Sequence, residues 1–147
     1  MEKVKYIHYG HTEFDPELFM RPHNERMFTK PYGGLWGSRI DAKCSWKHWC
    51  ECEHFRDCCE DNSFTFTLTE DANVLHICSV VDLQDLPKVD SKSFDYTDWC
   101  CLDFERLLAY GVDAVELHLS EDYRLYWSMY GWDCDSILIM NPEVVVV

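Results

Sequence analysis

At 147 residues, with six Trp, eight Tyr and eight Phe, the chain can bury one substantial core and is too aromatic to be disordered or of low complexity. A formal charge of −14, with no Lys/Arg stripe among the aromatics, argues against a protein that tracks nucleic-acid phosphates and favours a small ligand or a basic protein partner. No apolar run approaches the roughly 20 residues of a membrane-spanning helix, and Met1-Glu2-Lys3-Val4-Lys5 lacks the apolar core of a secretion signal, so a soluble, cytoplasmic protein, bacterial or phage, is the expectation.

Taken in order, Val4 to Tyr9 is short and rich in β-branched and aromatic residues, which predicts a strand. Residues 11 to 31 carry three prolines and no sustained period; they read as a long ordered loop with a helical turn at Pro16 to Met20. Leu35 to Ser38 reads as a brief strand entered through Gly33-Gly34. Ser45 is an N-cap candidate for a helix running to about Cys59, with Trp46, Trp49, Cys50 and Glu53 on one face. Phe64 to Leu68 alternates as a strand, and Asn73 to Val80 predicts another. Asp98 or Asp103 starts a helix through Tyr110 that Gly111 stops. Ala114 to Leu119 and Ser136 to Met140 read as strands, and Val144 to Val147 resumes pairing after Asn141-Pro142. About six short strands and two or three helices, without regular alternation, give one α+β domain over residues 1–147 rather than a doubly wound sheet.

Nine cysteines is a high and odd count, and the vicinal pairs Cys58-Cys59 and Cys100-Cys101 suit neither mutual disulfides nor a secreted framework. Reduced thiols are the expectation. Cys44, His48, Cys50, Cys52, His54, Cys58 and Cys59 fall within sixteen positions, yet no C-x-x-C occurs. His54 and Cys58 share a helical face at i, i+4, which leaves a partial site and a Cys/His metal-stabilised interaction protein as an alternative, but structural thiols are preferred to a zinc site and no metal is assigned. No thiol is marked as a nucleophile by its surroundings.

Three other segments carry a possible site. His8-Tyr9-Gly10 closes the first strand, where a backbone must turn or admit a ligand. Tyr32 and Trp36 flank Gly33-Gly34, and paired glycines at a strand opening let backbone approach a flat ligand that an aromatic then covers. Asp133 and Asp135 precede Ser136-Ile137-Leu138-Ile139; on extended backbone both carboxylates would point into one cleft.

In this order the segments resemble the ADP-ribosyltransferase superfamily, especially its histidine-bearing, diphtheria-toxin-like and poly(ADP-ribose) polymerase-like branch. The matching pieces are His8-Tyr9-Gly10, Gly34-Leu35-Trp36-Gly37-Ser38 ahead of the Trp46/Trp49 helix, and Asp135-Ser136-Ile137-Leu138-Ile139. The resemblance implies short mixed or antiparallel strands forming a split sheet around an NAD-type cleft. It implies that His8 contacts the adenine-side ribose and the Gly10 backbone the carboxamide, with Tyr9 between them. Trp36 would stack on nicotinamide, with Tyr32 or Trp46 as second wall, and Ser38 would brace the carboxylate or the ribose. Asp135, with His8 as the other catalytic residue and Asp133 beside it, would stabilise the oxocarbenium-like state as nicotinamide leaves. NAD is then a substrate, and the ADP-ribose acceptor is an unspecified protein or small molecule. The closing residue is Asp where active families usually carry Glu, which leaves open a weak transferase, a NAD glycohydrolase or a catalytically silent nucleotide-binding relative.

Overall fold

Alternation explains the first strands directly. In the computed structural model, which describes residues 3–25, 28–55, 57–89 and 99–147, Phe64 and Phe66 are buried while Thr65 between them is exposed. They lie on β3, Ser63–Leu68, which pairs antiparallel with β1, Tyr6–Tyr9. β1 pairs on its other side with β2, Leu35–Arg39. The strand expected from Val4 begins at Tyr6, because the residues before it are exposed.

The remaining strands are β4, Val74–Ile77, β5, Ala114–Leu117, β6, Ser136–Ile139, and β7, Val145–Val146. They join into one seven-strand sheet of order β4-β5-β6-β2-β1-β3-β7, in which only β4 and β5 run parallel. With short helices beside a largely antiparallel sheet, this is a single-domain α+β fold. Every residue of β5 and β6 is buried, as apolar runs covered on both faces require. Val115, Leu117 and Leu138 face a core completed by Trp132, Phe104 and Leu125. Ala114, Ile137 and Ile139 face the other way, against Tyr6, Leu35 and Phe66.

The helices are set by their caps. α1, Trp46–Glu53, starts where the Ser45 hydroxyl accepts from the His48 amide at 3.2 Å. It stops well short of the expected Cys59, because His54 turns left-handed at φ 52 and returns its amide to the Cys50 carbonyl. α2, Phe104–Ala109, starts at Asp103, whose carboxylate accepts from the Arg106 amide; Asp98 lies outside the described residues. Gly111, at φ +93, ends the turn beyond it as expected. The strand expected over 73–80 is shorter, since the Asp82 carboxylate takes the amides of Cys78 and Ser79 and draws the chain into a 3-10 turn at Val80–Leu83. α3, Leu125–Ser128, is too short to leave a periodic signal. The long loop has its helical turn at Pro16–Leu18 and is pinned by backbone pairing of His23 with Tyr32. No helix among the described residues is long and apolar enough to cross a membrane.

Candidate functional site

The sheet order makes β6, β2 and β1 neighbours, so the three segments singled out in the sequence meet on adjacent strands. Trp36 is paired with Leu138 and Ser38 with Ile7. Beside this junction lies a cavity of about 540 Å³ whose lining includes Trp36, Trp46, Trp49, Phe55, Lys30 and Asp133. Its size and aromatic lining are those of a small-molecule site.

Each wall is locally fixed. Trp132, fully buried, donates its indole N–H to the Thr29 carbonyl at 3.2 Å and meets Trp36 edge-on at 4.8 Å. On α1, Trp46 and Trp49 stack at 5.3 Å with planes 14° apart, and Phe55 stands edge-on to both. The Lys30 ammonium lies between the two walls, 4.8 Å from the Trp36 ring and 5.3 Å from Trp46. A cation over two indole faces is held by their ring quadrupoles. Lys30 also acts electrostatically on Asp133, whose carboxyl burial pushes above its ordinary range; Lys30 pulls it back and Glu53 adds to the rise.

Ser38 is buried and works behind the wall. Its hydroxyl donates to the Asp135 carbonyl at 3.0 Å and accepts from the Trp46 amide at 3.1 Å, tying β2 to the start of β6 and to the first turn of α1. His8 and Tyr9 line the cavity. The Trp36 carbonyl can only accept, so the 2.6 Å contact requires a proton on His8 Nδ1, and His8 Nε2 then accepts from His11 Nδ1 at 2.9 Å. Burial lowers the His8 pKa, the bond to Trp36 opposes this, and His11 adds to the lowering.

Other predicted residues are placed differently. Asp135 does not line the cavity: its two oxygens accept from the Ser120 amide and hydroxyl, each at 2.8 Å. The expectation that Asp133 and Asp135 face one cleft fails because Asp133 is left-handed at φ +69, which breaks the extended alternation it assumed. Gly33 and Gly34 are tightly packed and lie outside the cavity lining. Both have positive φ, and a Cβ would lie 2.7 Å from the Met20 carbonyl at Gly33 and 2.3 Å from Leu138 Cδ1 at Gly34. Tyr32 is exposed and pairs with His23, and the Gly10 amide donates to the Asn62 carbonyl; neither reaches the lining.

The lining residues that sequence reasoning did not assign include Lys30, Trp49, Phe55, Trp132 and Cys134. Trp49 had a signal in its helical spacing from Trp46; Lys30 and Phe55 reach the cavity only through the course of their loops. Burial pushes the Cys134 thiol up to about 12, so it lines the site as a neutral group. In the Cys/His-rich segment, Cys52 and His48 approach to 3.5 Å, and among the described residues no group of three donors there clusters closely enough to hold an ion. Compared with protein-family models, curated proteins and solved structures, the chain matches none of them.

Proposed function

We propose that the indole-lined cavity binds NAD by its nicotinamide end, and that the chain is an ADP-ribosyltransferase-like protein. It cleaves the nicotinamide–ribose bond and passes ADP-ribose to a protein or small-molecule acceptor. The observation that carries this reading is Lys30, an ammonium lying over Trp36 and Trp46 within electrostatic reach of Asp133. For a flat pyridinium to take this slot the Lys30 ammonium swings out of it, leaving the same indole faces and the Asp133 carboxylate to hold the ligand's charge.

In the reaction, the ribose C1′–N bond breaks and its electron pair goes to nicotinamide. The ring leaves neutral, and the positive charge passes to the ribose. A fixed carboxylate therefore stabilises the transition state more than the bound substrate. Asp133 is the carboxylate that lines the cavity, so this role falls to it, while Asp135 is bound to Ser120 and ties the start of β6 to the neighbouring turn. The acceptor attacks C1′ and releases its proton. His8 positions the wall by donating to the Trp36 carbonyl.

A second reading, a nucleotide-binding module without turnover, is favoured by the capture of both Asp135 oxygens by Ser120. One set of measurements separates the two. Binding of oxidised and reduced NAD is compared by calorimetry, and nicotinamide release is followed in the wild type, Trp36→Ala and Asp133→Asn. The transferase reading expects tighter binding of the cationic, oxidised form, loss of binding in Trp36→Ala, and loss of release but not of binding in Asp133→Asn. Binding without nicotinamide release selects the silent module. No binding of either form overturns both.

A further inference from the structure

On the sheet face opposite Trp36 and Trp132, three donor atoms from two strands converge. His76 on β4 is the register partner of Glu116 on β5, and His118 follows two residues after Glu116. His76 Nδ1 lies 3.0 Å from His118 Nε2 and 3.5 Å from Glu116 Oε1, and His118 Nε2 lies 3.6 Å from the same oxygen. We propose that His76, Glu116 and His118 bind a zinc ion, with a fourth position open to water or a ligand group.

The triangle has the dimensions the ion requires. At zinc–nitrogen and zinc–oxygen distances of about 2.0–2.1 Å, neighbouring donors in a tetrahedron stand about 3.3 Å apart. The three observed separations bracket that edge, and a point about 2.0–2.1 Å from all three atoms lies roughly 0.6 Å out of their plane. An octahedral iron site with bonds of similar length would draw neighbouring donors to about 3.0 Å, which the two imidazoles meet but both separations to Glu116 exceed, so zinc is chosen among the metals that two imidazoles and a carboxylate suit.

The surroundings hold the carboxylate in place. Glu116 is 3% exposed, and Arg39 grips it through Nε on Oε2 at 2.8 Å and Nη2 on Oε1 at 3.0 Å. The Tyr6 hydroxyl also donates to Oε1, at 3.2 Å. Such outer partners fix the orientation of a ligating carboxylate and balance its charge. The His76 side chain is about half exposed and that of His118 mostly covered, so an ion would be reached from the His76 side. Without an ion, the same contact is an imidazole–imidazole hydrogen bond, and the experiment distinguishes the two.

The full chain, stripped with chelator and kept reduced, is titrated with zinc ion alone against a competing dye, then with cobalt(II) as a spectroscopic stand-in. The wild type is expected to take up one equivalent whose cobalt spectrum is four- or five-coordinate and free of thiolate charge-transfer bands. His76→Gln and His118→Gln should each weaken that equivalent by more than about tenfold. Both are expected to keep the wild-type circular dichroism, which Glu116→Gln is not required to do. Unchanged zinc uptake in the double His76→Gln/His118→Gln variant overturns the proposal, as does a thiolate signature at the first equivalent. Failure of the wild type to bind zinc reduces the cluster to a hydrogen-bonded histidine pair, and preference for iron(II) overturns the choice of metal. None of these outcomes depends on NAD.

Discussion

Asp135 gives both carboxylate oxygens to one residue, Ser120, through the backbone amide and the side-chain hydroxyl, each at 2.8 Å. The 3-10 turn at Leu119–Glu121 is thereby locked to the start of β6, and the same aspartate's carbonyl receives the Ser38 hydroxyl. Asp135→Ala is expected to destabilise the fold by about 1.5–3 kcal/mol, the range for hydrogen bonds to a charged group. Ser120→Ala, which keeps the amide bond, should lose less, and the double variant should fall short of the sum. Urea denaturation measures all three. Equal nicotinamide release in Asp135→Ala and wild type, after correction for folded fraction, would show that Asp135 serves the fold and not the reaction.

Asp133 sets the pH dependence. Burial holds its carboxyl above the ordinary 3.8, so between 3.8 and its folded value the folded chain keeps a proton that the unfolded chain has released. This contribution favours folding at acid pH and is lost as pH rises through the folded value. Asp133→Asn should lack that slope and be more stable than the wild type near neutral pH. If the carboxylate is the catalytic group, the acid limb of nicotinamide release lies above pH 3.8. Denaturation and initial rates across pH test both statements.

Gly34→Ala brings two penalties together. The residue is at φ +73, and its Cβ would meet Leu138 Cδ1 at 2.3 Å and the Ile139 carbonyl at 3.0 Å. A left-handed non-glycine residue combined with overpacking against a buried strand is expected to lower stability by about 2–5 kcal/mol. The thermal midpoint should drop by many degrees, whereas Gly111→Ala, with open space around its Cβ, bears only the backbone penalty.

Removing Arg39 leaves Glu116 buried without its cation. Arg39→Met is expected to cost about 3 kcal/mol, the low end for breaking a buried pair, because the Arg39 side chain is one-third exposed. Glu116→Gln in the same background should recover part of that loss. Chemical denaturation of the cycle checks this.

His54→Gly is expected to stabilise the chain by about 1 kcal/mol, because a left-handed position at φ 52 carries that penalty for a residue with a Cβ. A fall in the unfolding midpoint would contradict this account of why α1 ends there.

Elements whose signals are local could be read from the sequence. The Ser45 cap, the Asp103 to Gly111 helix and the alternation of Phe64 to Leu68 each depend on residues within a turn or two. Their ends were less legible: neither the left-handed turn at His54 nor the capture of the Cys78 and Ser79 amides by Asp82 has a periodic signature. The site divided in the same way. Trp36 and Trp46 declared themselves through neighbouring glycines and helical spacing, but Lys30 reaches the cavity only because its loop folds back over Trp132. Likewise His76 meets Glu116 through a parallel register between strands forty residues apart, which no motif spacing announces.

The arrangement of the indoles makes the protein its own optical reporter. Trp36, Trp46, Trp49 and Trp132 ring one hollow, whereas Trp127 is largely in water. Emission is therefore expected to combine a blue, sheltered component with a red, solvated one, and quenching of the first by an added aromatic ligand would report its entry between Trp36 and Trp46.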